Sequence, residues 1–216
     1  MSGERKPVVI VLHGPSGVGK DTVIARLRER LPIHRATSST TRPPRPGERH
    51  GVDYYFLSEE EFLEKARRGE FAEFARVYGD WKGLERREIE GPLARGEDVI
   101  IRTDVQGARW WRKALEGGTF VILVAEDAEA IRQRLTRRNS ESDASLRRRL
   151  AELEEELADI PNNDYVVVNR EGAVDETVDE LVRILERERD RPDRPYPRLR
   201  EEVLRERLVE RIAEGR

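Results

Sequence analysis

Residues 8–21 decide the fold of this chain and read VVIVLHGPSGVGKD. The apolar run at 8–12 is typical of a strand buried on both faces of a parallel sheet. The glycines after it allow a tight loop whose backbone N–H groups point inward at an anion. Lys20 ends this loop and begins a helix with one apolar face, made of Val23, Ile24, Leu27 and Leu31. Strand, loop, lysine and helix in this order predict a cradle for nucleotide phosphates, and hence a phosphoryl-transfer enzyme.

The loop departs from the phosphate-loop pattern G-x-x-x-x-G-K-[ST] at its last position. Gly14, Gly19 and Lys20 match, but Asp21 stands where a hydroxyl normally ligates magnesium. A carboxylate is a harder oxygen ligand, so Asp21 would hold the ion directly or through water. The alternative is a plain glycine turn with one exposed lysine. The strand before the loop and the amphipathic helix after it favour the cradle.

Composition limits the other classes of protein. A chain of 216 residues fits one domain with small subdomains. Although 39% of the residues are charged, the net charge is only −3, so no overall field favours nucleic acid or a membrane. The absence of cysteine excludes disulfides and thiolate sites, and three scattered histidines argue against a histidine metal cluster. The polar start and the lack of a long apolar segment predict a cytoplasmic enzyme.

Strand and helix patterns alternate along most of the chain. The predicted strands are 8–12, 99–101, 120–124 and 165–168, and the predicted helices are 20–30, 58–68, 87–94, 107–115, 127–137, 143–159 and 174–185. This alternation predicts an α/β fold with a parallel sheet flanked by helices. The irregular stretch 38–90 predicts an inserted second lobe.

The last residues differ in composition from the rest. Residues 189–216 read as a proline- and arginine-rich linker followed by apolar residues at helical spacing, Leu199, Val203, Leu204, Leu208 and Ile212. We expect this helix to dock on its own chain or on a second subunit. A tail that binds a separate target is a further alternative.

A second cluster at 38–48 reads SSTTRPPRPGE. Its prolines restrict the backbone, so Arg42 and Arg45 are presented at a lower ordering cost. Two guanidinium groups can hold a second phosphate bidentately, and Tyr54 can add a hydroxyl. A solvated basic loop remains an alternative, because this chain is rich in arginine throughout.

Several segments, in their order and spacing, resemble guanylate kinases. They are residues 14–20, 38–48, 51–54, 70–73, 104–107 and 165–169, and the resemblance covers about 7–188. It implies a P-loop kinase fold with core segments 7–37, 91–133 and 153–188, a GMP-binding lobe at 38–90 and a helical lid at 134–152. The implied reaction moves the terminal phosphate of ATP to GMP, with magnesium as cofactor.

The resemblance also implies roles for single residues. The implied catalytic residues are Lys20, Arg42, Arg138 and Arg149. The implied ATP site comprises Gly14, Pro15, Ser16, Gly17, Val18, Gly19, Lys20, Asp21, Thr22, Arg134, Arg138 and Asn169. The implied GMP site comprises Ser38, Arg42, Arg45, Tyr54, Glu73, Lys82 and Asp104. Magnesium would be contacted by Asp21, directly or through water, and by Asp104 through water.

The chain departs from the common family pattern at two places. At positions 81–84 most members have two tyrosines, a glycine and a hydroxyl residue, whereas this chain has Trp81, Lys82, Gly83 and Leu84. Arg102 stands where most members have a carboxylate. These changes make the acceptor side more positive by about three charges. A branch that includes plant organellar and some bacterial members is similar at these positions. The strictness of guanine selectivity therefore stays open.

Three functions remain after these comparisons of motifs. The first is an ATP:GMP phosphotransferase, a monomer or a homodimer formed through the C-terminal helix, with small-molecule substrates as its partners. The second is a kinase of another acceptor, such as ribose bisphosphate or another nucleoside monophosphate. The third is a non-catalytic guanylate-kinase-like binding module. Retention of the acceptor residues favours GMP, and retention of Lys20 argues against a binding module.

Overall fold

The structure, a computed structural model, describes residues 6–77, 79–126, 154 and 158–213. Its strands are β1 (Val9–His13), β2 (Ile33–Arg35), β3 (Ser39–Thr40), β4 (Tyr55–Phe56), β5 (Phe71–Val77), β6 (Asp80–Glu85), β7 (Asp98–Arg102), β8 (Leu115–Glu116), β9 (Gly118–Val124), β10 (Tyr165–Val168) and β11 (Arg198–Leu199). Its helices are α1 (Lys20–Arg30), α2 (Glu59–Arg67), α3 (Arg87–Ala94), α4 (Val105–Ala114), α5 (Val174–Asp190) and α6 (Glu201–Ala213). The predicted helix 127–137, most of the predicted helix 143–159 and the predicted lid lie outside the described residues.

Five strands form a parallel sheet in the order β10-β9-β1-β7-β2. The central strand β1 is buried along its whole length, as its unbroken apolar sequence predicts. Helices α1 and α5 pack on one face of the sheet, and α3 and α4 pack on the other. The predicted α/β fold with a parallel sheet between helices is confirmed. Among the described residues, no helix has both the length and the apolar character needed to cross a membrane.

A second sheet lies within residues 39–85, in the order β4-β3-β6-β5. Helix α2 covers it, and its apolar core joins aromatic rings from the helix and the strands: Phe62, Phe71, Phe74 and Trp81. The predicted capping box begins α2, since Ser58 Oγ accepts from Glu61 N and Glu61 Oε2 accepts from Ser58 N. The strand patterns in the sequence do not reveal the hairpin of β5 and β6 or the short strands β2, β4, β8 and β11.

The C-terminal segment docks on its own chain, which was one of the two predicted arrangements. Strand β11 pairs with β8, and α6 packs against α4. The side chain of Leu204 joins the core cluster that contains Trp111 of α4 and Leu84 of β6. In the linker, Arg194 is buried, and its guanidinium donates to the backbone carbonyls of Glu188, Lys6 and Pro7. The segment is therefore part of the folded domain.

We expect Leu204→Ala to lower the free energy of unfolding by about 2–3 kcal/mol, because Leu204 is 8% exposed and its removal leaves a cavity under α6. Urea denaturation followed by circular dichroism measures the change. Val52→Ala is the control, since Val52 is 44% exposed and should change stability by less than about 0.5 kcal/mol. Equal stability of the Leu204 variant and the wild type would show that α6 is not docked in solution.

Candidate active site

A cavity of about 420 Å³ lies where the carboxyl edge of the central sheet faces the second sheet. Its lining brings together predicted residues from both sides, namely Gly14, Ser16, Gly17, Gly19, Lys20, Asp21, Thr22, Ser38, Tyr54, Glu73, Lys82 and Asp104. It also contains five residues that the sequence analysis did not assign to a site: Ala75, Val77, Gly83, Arg102 and Thr103. The predicted donor loop and most of the predicted acceptor residues thus share one cavity. The lid arginines Arg134, Arg138 and Arg149 lie outside the described residues.

The phosphate loop needs glycine at both of its ends. Gly14 has φ +134°, and a Cβ there would lie 2.1 Å from the carbonyl oxygen of Leu123 in β9. Gly19 has φ +96° and forms the N-cap of α1, so the helix N-terminus faces the cavity. The Lys20 ammonium donates to two carbonyl oxygens of the loop, those of Gly14 and Pro15, the latter at 3.0 Å. These contacts hold the positive charge of Lys20 against the loop. The residue is only 9% exposed.

Of the predicted ATP-site residues that the structure describes, Pro15, Val18 and Asn169 do not line the cavity. Asn169 is buried behind the loop, where its amide nitrogen donates to the Val18 carbonyl at 2.7 Å. Its Oδ1 accepts from Thr177 Oγ1 at 2.9 Å. Asn169 therefore supports the loop from β10 and α5. Its predicted contact with adenine stays a prediction.

Asp21, the unusual last residue of the loop, forms an ion pair with Arg102. Arg102 Nε lies 2.9 Å from Asp21 Oδ1, and Arg35 Nη2 lies 3.8 Å from the same oxygen. Asp21, which departs from the phosphate-loop pattern, and Arg102, which departs from the common family pattern, are therefore partners in space. This pairing offsets part of the extra positive charge that Arg102 brings to the cavity.

Asp21, Thr22 and Asp104 line the cavity near the loop, and each carries a side-chain oxygen. Asp104 also caps α4, since its Oδ1 accepts from the Gly107 N–H at 2.8 Å. Among the residues that the structure describes, no group of three or more His, Cys, Asp or Glu side chains is arranged to hold a metal. The oxygens of Asp21, Thr22 and Asp104 fit a magnesium ion that keeps several waters and binds mainly to substrate phosphates.

The acceptor side of the cavity is built on the second sheet. Glu73 lies on β5 just after a register shift, where it pairs with Leu84 of β6, and the next residue, Phe74, pairs with Gly83. A Cβ on Gly83 would lie 2.7 Å from the Glu73 carbonyl oxygen, so glycine lets the two strands approach here. Ser38 lies directly before β3, opposite this hairpin. The sheet thereby places Ser38 and Glu73 on one wall of the cavity.

Two buried carboxylates that the sequence analysis missed hold the Ser38 segment in place. Glu85 accepts from Ser39 Oγ at 2.7 Å, and Glu88 accepts from the Thr37 N–H at 2.9 Å. Burial by itself would raise the pKa of the Glu88 carboxyl, but hydrogen bonds from His34, Thr37 N–H and Tyr55 lower it below its usual value. No local pattern reveals these glutamates, since each contacts a segment far away in the sequence.

Arg42 is oriented by a carboxylate and by aromatic rings. Its Nη1 lies 2.7 Å from Glu48 Oε2, and its Nη2 lies 2.5 Å from Glu48 Oε1, so the pair is bidentate. The guanidinium carbon lies 5.1 Å from the centre of the Tyr54 ring, and Tyr54 lines the cavity. Glu48 also accepts from the Arg45 N–H at 2.7 Å, while the Arg45 side chain is exposed. The structure places Arg42 behind Tyr54, and neither Arg42 nor Arg45 is among the residues of the cavity lining.

Only part of the stretch 81–84, which departs from the common family pattern, lines the cavity. Lys82 and Gly83 line it, whereas Trp81 stacks on Phe62 in the second sheet's core. Leu84 is 3% exposed and packs with core residues. Lys82 is therefore the residue of this stretch that brings a charge to the cavity.

The pKa of Glu48 gives a direct test of the Arg42 contact. The hydrogen bonds from Arg42 and from the Arg45 N–H lower this pKa from 4.5 to about 2. The pair therefore stabilises the fold above the usual glutamate pKa, and this contribution is lost as the pH falls toward 2. We expect Arg42→Met to raise the Glu48 pKa toward 4.5 in an NMR titration of its carboxyl carbon. Arg49→Met, which changes the adjacent residue, should leave it low; a normal Glu48 pKa in the wild type would contradict the geometry.

Comparison with known proteins agrees with this geometry. The family model described as Guanylate kinase matches residues 4–188. The chain is 44% identical over 186 residues to guanylate kinase 2, chloroplastic/mitochondrial, of Oryza sativa subsp. japonica, an alignment that covers 85% of this chain and 65% of that protein. It is 43% identical over 170 residues to the guanylate kinase of Symbiobacterium thermophilum, covering 78% and 81% of the two chains. The crystal structure of guanylate kinase from Anaplasma phagocytophilum superposes with a TM-score of 0.70, at 30% identity and 96% coverage of each chain. The chain therefore belongs to the guanylate kinase family.

Proposed function

We propose that this protein transfers the terminal phosphate of ATP to GMP, giving ADP and GDP. One observation carries the proposal: a single cavity is lined on one side by the glycine loop with Lys20, and on the other by Ser38, Tyr54, Glu73 and Lys82. Two anionic substrates that enter such a cavity meet with their phosphates between the two walls. The alternative acceptors and the binding module have no comparable observation in their favour.

The proposed mechanism depends on alignment and positive charge. Phosphoryl transfer needs the attacking oxygen in line with the leaving group and charge stabilisation on the moving phosphoryl oxygens. Lys20 supplies a fixed ammonium at the loop, and the N–H groups at the start of α1 add a second positive region. Arg42 and Lys82 supply charge from the acceptor side, and we propose that Arg45 joins them. No covalent intermediate is required.

The lid is the third proposed source of charge. Arg134, Arg138 and Arg149 belong to the segment 134–152, for which we propose closure over ATP. Closure would exclude water, which otherwise competes with GMP for the phosphoryl group. The 38–90 lobe would close from the other side when GMP binds, so the complete set of charges assembles only with both substrates present.

Magnesium is the proposed cofactor. When bound, it neutralises charge on the outer phosphates of ATP. Asp21 and Asp104 would hold it, Asp21 directly or through water and Asp104 through water, and Thr22 offers a hydroxyl close by. Asp21 and Thr22 lie in the first turn of α1, and Asp104 caps α4 two residues after β7 ends, so the elements at the carboxyl edge of the sheet position these oxygens.

Glu73 is the proposed guanine-recognition residue. A carboxylate accepts hydrogen bonds from N1–H and from the exocyclic amine of guanine, whereas adenine does not present these two donors together. Ser38 would add a hydroxyl to the same base. Because Glu85 and Glu88 fix the residues on either side of Ser38, the hydroxyl is positioned before the base arrives.

We expect steady-state ADP release with ATP to show kcat/KM for GMP roughly 10³-fold or more above that for AMP, UMP or ribose bisphosphate.

Lys20→Ala should lower kcat with GMP by about 10²–10³-fold, because a charge fixed near the moving phosphoryl group is lost. Thermal unfolding checks that this variant remains folded. Equal or faster turnover of a non-guanine acceptor would overturn the proposed substrate, and full activity of Lys20→Ala would remove the loop from catalysis.

We expect Glu73→Gln to reduce the GMP-over-AMP preference by about 10- to 100-fold, since its amide nitrogen opposes a guanine donor where the carboxylate accepted a hydrogen bond. The measurement is the ratio of kcat/KM values for the two acceptors. Glu70→Gln is the matched control: Glu70 lies three residues away, bonds to Lys65 and Arg68, and is not a lining residue. An unchanged ratio in the Glu73 variant would exclude this residue from base recognition.

A further inference from the structure

The Arg102–Asp21 ion pair is an unusual feature of the cavity. It joins the last residue of the phosphate loop to the last residue of β7, with Nε 2.9 Å from Oδ1. Both side chains remain accessible, at 37% for Arg102 and 62% for Asp21, and both line the cavity. The pair is therefore placed where a ligand of the loop would contact it.

The sheet register fixes the position of Arg102. In the parallel pairing of β1 with β7, Arg102 lies opposite Leu12, two residues before the loop begins at Gly14. The neighbouring β7 residues Val99, Ile100 and Ile101 are buried, so the strand cannot shift without exposing core. Arg102 thus projects from a rigid strand end beside the loop, and Arg35 approaches Asp21 from the next strand, β2.

The charge of Asp21 opposes the function of the loop. The N-terminus of α1 is positive and attracts phosphate, but Asp21 is the second residue of that helix and brings a negative charge to the same place. An unpaired carboxylate there would repel a polyphosphate held by the loop. Within the described part of the chain, Arg102 and the more distant Arg35 pair with Asp21, and Lys20 and Asp104 are the other charged residues near it in the same lining.

We propose that Arg102 is the counter-ion that makes a loop ending in Gly-Lys-Asp compatible with a nucleoside triphosphate. Arg102 acts through Asp21: by pairing with its carboxylate, it restores the positive character of the helix N-terminus toward the polyphosphate. Arg102 is a positioning residue in this role. The inference rests on the proposed assignment of the loop to the ATP phosphates, and it is independent of the identity of the acceptor.

The test measures binding of inorganic tripolyphosphate by isothermal titration calorimetry in EDTA, so that no divalent cation masks the Asp21 charge. Arg102→Met should weaken binding by about tenfold or more, because the carboxylate is left unpaired. Asp21→Ser should not weaken it. The double variant Asp21→Ser/Arg102→Met should return to within about threefold of the wild type, since the charge that needed a partner is gone.

Arg30→Met is the matched control. Arg30 is 38% exposed and pairs with Asp175 and Asp179, away from the cavity. This variant should bind tripolyphosphate as the wild type does, and its thermal unfolding calibrates the stability cost of losing the ion pairs of one exposed arginine. A similar thermal shift in Arg102→Met, together with weaker binding, assigns the effect to the ligand site.

Two outcomes would overturn the inference. Wild-type affinity in Arg102→Met would show that Asp21 needs no counter-ion. Equal weakness of Arg102→Met and the double variant would show that Arg102 contacts the phosphates itself, without acting through Asp21. Neither outcome depends on GMP turnover, so failure of the proposed acceptor and failure of this inference are distinguished by separate measurements.

Discussion

The parallel pairing of β1 between β7 and β9 is the constraint on which the site depends. Because parallel strands end at the same edge, one register fixes the loop after β1 and the residues that end β7. At this edge Gly14 lies so close to the Leu123 carbonyl of β9 that no side chain fits. A slip of β1 by one residue would move the loop away from Arg102 and Asp104 together, and it would also turn buried valines toward the opposite face.

The sequence allowed prediction of those parts whose signal is local. The four apolar runs form β1, β7, β9 and β10. The first three are buried almost throughout, as continuous apolar sequence predicts, whereas β10 is an edge strand on which Val166 stays exposed. The loop was also predictable, since its glycines and lysine are contiguous. By contrast, β5 and β6 carry charged residues and a glycine, and they are strands because they pair with each other over an aromatic cluster. The ion pair of Asp21 with Arg102 was not predictable, because it depends on sheet order.

The acceptor wall is held by buried charge rather than by apolar packing alone. Glu85 is 1% exposed and is satisfied by Ser39 and Lys65, with Arg87 at 2.9 Å. A buried carboxylate is tolerated only when its oxygens are fully paired, so these contacts fix both the glutamate and the residues that bond to it. Such a network gives specificity of position more than net stability. That property suits the base contacts proposed for Ser38 and Glu73, which need fixed positions.

Arginine is so abundant in this chain that its presence alone says nothing about function. The group to which each arginine bonds distinguishes the arginines that stabilise the fold from those that lie at the cavity. Arg194 is buried and bonds to backbone carbonyls, so it stabilises the C-terminal linker. Arg42 and Arg102 are instead held by the carboxylates of Glu48 and Asp21, at or beside the cavity. A carboxylate partner lowers the net charge that a ligand meets, but it also fixes the guanidinium before the ligand binds. Since a guanidinium has five N–H donors, Arg42 retains donors for a phosphate after pairing with Glu48 and loses less side-chain entropy on binding, whereas the role proposed for Arg102 is exerted through Asp21. In a chain with so many arginines, those whose guanidinium is already oriented by a carboxylate are therefore best suited to bind a ligand selectively.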